Sequence, residues 1–364
     1  METSDIRVTQ TELETFCLRV FRHFGLPEED ARITASVLVA ADAKGIASHG
    51  VGRLGRYVEG LKCGLMLPNA AAEVLLETSS SIVIDAHGGM GAPVSVKAMK
   101  AVIGKARTNG SAFACVRDSN HFGIAGYYAR LALAEDMIGV AMTNTAALGV
   151  PTFGRLAAFG TNPLAFAAPA DEEHSFVLDM STTVVPRGKL ELYDRLGKEL
   201  PAGWAVDKTG HPAKHAHPLL EDMQNQLGGG ILPLGGLGTA HGGHKGYGLA
   251  VMVDILCAVL CGAPFGTAVY DTPSSYARVS HFFGAINIAC FRDPREFRRD
   301  MDRMLHSLRT SPPAEGEERV YYAGLPERER ESEILKRGVP LSKQTYSHLC
   351  SIAAGCGLEA PKSC

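Results

Sequence analysis

The sequence predicts a layered α/β (α+β) protein: a sheet with helices packed on it, entered through an all-helical stretch. Three observations predict it. Residues 9–64 carry apolar side chains at helical spacing, punctuated by capping residues. From about residue 80, short apolar runs alternate with helical patterns over roughly 200 residues. The composition, 46% hydrophobic and 21% charged, is that of a soluble globular chain, and 364 residues allow two or three domains at about 150 each.

Taken in order, Thr9 or Thr11 caps a first helix with Leu13, Phe16, Cys17, Val20 and Phe24 on one side, stopped by Gly25. Pro27 opens a second, with Glu28, Glu29 and Asp30 in the first turn, where the helix dipole favours anions; it runs towards Lys44. A third carries the segment Ser48–Tyr57 and finishes near Gly64. Ser81–Asp85, Ala112–Val116, Ile138–Met142, Leu164–Ala168 and Phe176–Leu178 read as strands, with helices after Gly91 and over Gly123–Glu135. Residues 207–230 read as a polar stretch with a turn, and Gly246–Leu260 as a strongly apolar helix. The tail from residue 293 is highly charged, with a solvated helix over Glu327–Lys336.

Composition also excludes functions. A net charge of -3 gives no reason to expect nucleic acid or an anionic membrane as partner. The nine cysteines form no CxxC pair and read as reduced thiols, not as a disulfide framework. The N-terminus lacks the apolar core of a signal peptide. The most apolar segment, Leu249–Phe265, is interrupted by Asp254 and falls short of the ~18 apolar residues of a membrane span. A cytosolic protein is expected.

Chemistry concentrates in few places. His49, Arg53 and Tyr57 are four residues apart, so on one helix they form a stripe advancing about 40° per step. The stripe offers an acid/base group, a cation able to clamp a carboxylate by two hydrogen bonds, and a phenol; a plain solvated face would look the same. His121 falls between a predicted strand and a predicted helix, where ligands of sheet proteins collect, or where a turn histidine is satisfied by backbone. Asp179-Met180-Ser181-Thr182 follows another strand and suits ribose or phosphate oxygens, or a simple capping turn. The glycine-rich run Gly235–Gly246, with His244 and Lys245 leading into the apolar helix, suits an anion at a helix N-terminus. It is not a Walker A loop, since the Gly-Lys-Ser/Thr ending is absent. Nor is it a Rossmann fingerprint: Pro233 spoils the preceding strand and Asp254 lies inside the following helix. It is therefore a phosphate site on a non-Rossmann frame. His211, His215 and His217 have loose metal-like spacing in a polar loop; a metal-dependent hydrolase using them is a rival reading, but no metal is expected.

Together these segments resemble the type 2 malate/L-lactate dehydrogenase family. The carrying motifs run in order: Ser48-His49-Gly50, Asn120-His121-Phe122-Gly123, Thr143-Asn144-Thr145, Gly160-Thr161-Asn162-Pro163 and Asp179-Met180-Ser181. Arg187-Gly188-Lys189, Pro201-Ala202-Gly203-Trp204 and His244-Lys245-Gly246-Tyr247-Gly248-Leu249 follow. The family is distinct from the classical lactate and malate dehydrogenases and includes ureidoglycolate, sulfolactate and diketogulonate enzymes. The resemblance implies a non-Rossmann, NAD(P)-binding mixed-sheet domain with helices, residues 77–292. It further implies a helical domain formed by the N-terminal segment 1–76 and the C-terminal segment 293–364.

It also implies a homodimer with the active site near the subunit boundary, and NAD or NADP as cofactor. His49 would donate the proton to the carbonyl oxygen, with His121 as a second acid/base residue; which one leads stays open. Arg53 would hold the substrate carboxylate, while Ser48 and Tyr57 orient the reacting groups. Cofactor contacts carry over to Thr145, Asp179, Met180, Ser181, Thr182, His244 and Lys245, and to Gly324, Leu325 and Pro326. Two departures stand out: Pro186 replaces the family's usual alanine before Arg187-Gly188-Lys189, and Gly324-Leu325-Pro326-Glu327 stands where Pro-Gly-Glu is commoner. The expected reaction is malate/oxaloacetate interconversion, lactate/pyruvate second, with a cyclic imine reductase of the same family as the alternative.

Overall fold

The computed structural model describes residues 6–270 and 277–364. Strand β1 (Ile6–Val8) leads into helices α1 (Gln10–His23), α2 (Glu28–Ala43) and α3 (Leu54–Lys62). The expected cap is in place: the Thr9 hydroxyl accepts from the Glu12 N–H at 3.2 Å. A long alternating stretch follows, with β2 (Glu73–Glu77), β3 (Ser81–Asp85), α4 (Gly91–Asn109), β4 (Ser111–Ser119), α5 (Ala125–Ala129), β5 (Met137–Thr143), β6 (Leu164–Ala168) and β7 (Phe176–Met180). A small subdomain holds α6 (Arg187–Arg195), β8 (Ala205–Val206), α7 (Ala216–Gln224) and β9 (Gly230–Ile231). Then come α8 (Gly243–Cys257), β10 (Val279–Asn287), α9 (Pro294–Arg309), α10 (Leu325–Arg337), β11 (Val339–Leu341) and α11 (Lys343–Cys356).

Seven strands form one mixed sheet in the order β2-β3-β4-β10-β5-β6-β7. Only β3 and β4 are parallel, and α4 makes the crossover that a parallel pair requires. A largely antiparallel sheet of this order is not a doubly wound dinucleotide fold. The central strand β10, between β4 and β5, was not expected from sequence. Its residues Val279–Phe283 are buried on both faces, so the strand lacks the alternation that marks a half-exposed one. Edge strand β2 and helices α6, α7 and α9 were also missed. Asp293 and Pro294 are a legible start for α9, and the Asp293 carboxylate accepts from the Arg295 N–H at 2.8 Å.

Helices cover both faces of the sheet. On one, Met99, Val102 and Ala106 of α4 and Tyr128 and Ala129 of α5 pack on Ala114, Ala141, Ala165 and Phe283. On the other, Val253 and Cys257 of α8 pack on Cys115, Met142 and Phe282. The helical run Gly243–Cys261 has 19 residues and a mean hydropathy of 1.5, so by length and composition alone it could cross a membrane. Here it lies against the sheet and carries Asp254 inward. A separate apolar cluster joins both chain ends: Leu13, Phe16 and Val20 of α1 and Leu38 of α2 meet Ile334 of α10 and Leu349 and Ile352 of α11. Helix α9 packs elsewhere, its Met301 and Leu305 lying with Ala168 of the sheet.

Candidate active site

The segment Ser48–Tyr57 is not one helix, contrary to the sequence reading. It forms a 3₁₀ turn at Ala47–His49, an extended residue at Gly50 (φ -86°, ψ -157°), a second 3₁₀ turn at Val51–Arg53, and then α3. Asp42, buried on α2, supplies the reason. Its Oδ2 accepts from the Val51 N–H at 2.7 Å, and its carboxylate lies so close to Gly50 that any Cβ there would overlap it.

The broken stripe still gathers its side chains. The Arg53 Nε–H donates to the Ser48 carbonyl at 2.7 Å, and Ser48 Oγ lies 2.9 Å from His49 Nδ1. Tyr57, on α3, places its hydroxyl 2.7 Å from His121 Nδ1. His121 arrives from the loop after β4. That loop is pinned by Asn120, whose amide donates to the Gly88 carbonyl at 2.8 Å, and by Phe122, which stacks on His281 at 4.5 Å and 6°. The His49 and His121 rings stack with centroids 5.6 Å apart and planes at 20°. Neither Nε2 has a hydrogen-bond partner among the described residues. Ser48, His49, Arg53, Tyr57 and His121 thus converge from two distant parts of the chain.

Burial, then the Arg53 cation, pushes His49 down to about 4. Burial, then His49, holds His121 well below the usual imidazole range. Both rings are neutral at physiological pH and able to accept a proton. Burial raises the Tyr57 phenol, which stays protonated. Arg53 forms no salt bridge among the described residues, although burial and Arg56 already disfavour its charge. A neutral base pair beside a cation that pairs with no acid among the described residues suits a substrate that brings a carboxylate and a reacting oxygen.

A cavity of about 150 Å³ is lined by none of Ser48, His49, Arg53, Tyr57 and His121. Its walls include Ile46 and Ile124, close in sequence to His49 and His121, with Lys44, Asp179, Gly324 and Pro326. Asp179 is the fourth residue of β7; its carboxylate accepts from the Gly126 N–H at 2.7 Å, and burial raises it to about 6. The other nominated cofactor residues are placed differently. Thr182 is buried and donates to the carbonyls of Thr161 and Asn162. Thr145 Oγ1 accepts from the Thr161 N–H at 3.0 Å. Ser181 Oγ donates to the Thr183 carbonyl. Met180 ends β7, Leu325 is buried against α9, and His244 and Lys245 are exposed in the first turn of α8, outside the cavity wall. Pro186 takes the N-cap position of α6, and Gly324, with φ 95°, takes that of α10.

Sequence reasoning missed a second polar cluster. Asp254 accepts from Asn162 Nδ2 at 3.0 Å and from Asn144 Nδ2 at 3.3 Å, which ties α8 to the loops after β5 and before β6. A lone acid inside a strongly apolar helix was the available signal. The three histidines of the polar stretch share no centre: His211 bonds Thr209 and His217 faces Asp194. Among the described residues, no group of three or more His, Cys, Asp or Glu could hold a metal ion. A larger cleft of about 840 Å³, beside α9 and α10, is lined by charges that pair with one another, such as Arg309 with Glu173. Only Leu325 among the nominated residues touches it.

Comparison with known proteins bears on this arrangement directly. The family model for malate/L-lactate dehydrogenase matches residues 8–350. The chain belongs to that family. It is 43% identical to a malate dehydrogenase of Pyrococcus abyssi, over 97% of this chain and 96% of that one. It is 37% identical to a malate/(S)-sulfolactate dehydrogenase of Methanothermus fervidus, over 97% and 98%. Among solved structures, malate dehydrogenase from Entamoeba histolytica superposes with a TM-score of 0.94 at 34% identity, covering 98% of this chain and 100% of that one. The mixed-sheet fold expected from sequence is therefore that of the family, whose dehydrogenases use pyridine nucleotides.

Proposed function

We propose that this chain catalyses reversible hydride transfer between NAD or NADP and C2 of a 2-hydroxy/2-oxo acid, malate/oxaloacetate first and lactate/pyruvate second. One observation carries the reading: two neutral, stacked histidines lie beside an arginine that forms no salt bridge among the described residues. Arg53 holds the substrate carboxylate and turns C2 to the reacting face. One histidine of the pair passes a proton to the forming hydroxyl on reduction and takes it back on oxidation. Ser48 and Tyr57 set the ring orientations through the two Nδ1 atoms.

The donor set fits a dinucleotide. Asp179, with Gly324 and Pro326 beside it, suits ribose hydroxyls, and the exposed Lys245 and His244 at a helix N-terminus suit phosphates. Thr145, Met180, Ser181, Thr182 and Leu325 frame these contacts. When bound, the nicotinamide supplies or receives the hydride at C4. We read the protein as a cytosolic homodimer with its active site near the subunit boundary. Nine unpaired cysteines and the exposed Val251, Ile255, Val259 and Leu260 around α8 favour that reading.

The test is absorbance at the reduced-nicotinamide band with NADH or NADPH and a panel of 2-oxo acids, cyclic imines and ureido acids. Oxidation with oxaloacetate above all others is expected. Turnover of imines alone moves the reaction to a reductase of the same family, and no turnover with any member overturns the reading.

A further inference from the structure

Asp42 has no role in the reaction as proposed, yet it touches the backbone that carries His49 and Arg53. It lies in the last turn of α2, 5% exposed, with its carboxylate turned onto the junction of the two 3₁₀ turns. Two contacts define it. One is the 2.7 Å hydrogen bond from the Val51 N–H to Oδ2, which satisfies an amide otherwise buried at the start of a turn. The other is its close approach to Gly50, whose missing side chain leaves the space the carboxylate fills. Gly50 is extended, so the chain changes direction here. The two turns could otherwise run on as one helix, which would carry Arg53 and Ser48 to different positions relative to His121.

We propose that Asp42 is a positioning residue: by accepting from the Val51 amide and occupying the space over Gly50, it holds the bend that sets His49 and Arg53 opposite His121. The inference rests on the reading of His49 and Arg53 as the groups that handle the substrate. It assigns Asp42 no contact with substrate or cofactor.

The experiment compares Asp42→Ala, Asp42→Asn and Gly50→Ala with wild type, each first shown to be folded by circular dichroism. Three quantities are read: KM and kcat for the 2-oxo acid, KM for the cofactor, and hydrogen exchange of the Val51 amide. In Asp42→Ala, kcat/KM for the oxo acid should fall about 100-fold, the scale expected for a displacement of about 1 Å, while the cofactor KM holds within about two-fold. Val51 exchange should speed up. Asp42→Asn keeps a carbonyl oxygen at the same place and should restore kcat/KM to within a few-fold of wild type. Gly50→Ala, which leaves the carboxylate in place but crowds it, should lower kcat/KM and so tests the idea if Asp42→Ala does not fold. Wild-type kinetics in a folded Asp42→Ala or in Gly50→Ala would overturn the assignment, as would an Asp42→Asn no better than Asp42→Ala. If wild type itself turns over no 2-oxo acid, it is the proposed reaction that fails. The Asp42 assignment then stands or falls on Val51 exchange and the His49 ring resonances, and no change in them on Asp42→Ala overturns it.

Discussion

Asp254 and His49 both sit in polar clusters, yet their surroundings differ in one respect. Around Asp254, the amides are fully engaged. Asn144 donates to Asp254 and to the Pro264 carbonyl and accepts from the Ser280 N–H; Asn162 donates to Asp254 and the Ala250 carbonyl and accepts from the Thr145 N–H. Around His49, Nδ1 is held, and among the described residues Nε2 has no partner and the Arg53 cation forms no salt bridge. A saturated polar cluster stabilises and orients; an unsaturated one has capacity for a ligand. Removing a group from the first should cost stability, and from the second, turnover.

The largest effect tests that division at the histidines. His49→Ala and His121→Ala should each lower kcat by roughly 10²–10⁴-fold while cofactor affinity and melting temperature stay near wild type, as steady-state kinetics, fluorescence titration and calorimetry would show. The larger loss identifies the residue that moves the proton, and turnover near wild type in both removes the pair from the mechanism. Asp254→Ala should behave oppositely. Two buried amides lose their acceptor, so unfolding in urea should reveal a loss of about 3 kcal/mol, with kcat per folded molecule changed only a few-fold. A large fall in kcat without loss of stability would erase the contrast. Arg53→Lys should raise KM for the oxo acid by about ten-fold and spare kcat, because lysine cannot reproduce a forked contact; an unchanged KM would free Arg53 from that role.

The smallest effect is in pH. Since His49 is pushed down to about 4, kcat/KM for hydroxy-acid oxidation should stay level from pH 8 to about 5 and fall only below that. A break near 6.5 would mean that the ring is not shielded. The same shifts act on stability. His49 at about 4 and His281 at about 3 resist charging in the fold, so their contribution is present above 6.5 and is lost as pH falls from there. Asp42, raised to about 7, and Asp179, raised to about 6, act the other way and lose stability as pH rises through those values.

Much of this was legible in the residues. Capped helices at Thr9 and Pro27 and the runs Ser81–Asp85 and Leu164–Ala168 announced themselves by period and punctuation. His49 stood out through its four-residue spacing from Arg53 and Tyr57, and His121 through its place between a strand and a helix. What stayed hidden depended on distant partners. Strand β10 carries Ser280 and His281 near its start, and the imidazole is at home in a core only because Thr143 and Ser119 bond it. The break at Gly50 was invisible because the cause, Asp42, belongs to the preceding helix. Helix α9 was masked by its charge, which sits outside while Met301 and Leu305 face inward.

The pairing of β1 with β11 has a consequence for how the protein comes into being. The segment that carries His49 and Arg53 shares, through Val51, Leu54 and Tyr57, an apolar cluster with α11, and His348 of α11 packs directly against Gly55. During synthesis, therefore, the segment that carries His49 and Arg53 lacks part of its final packing until residues 339–356 have left the ribosome.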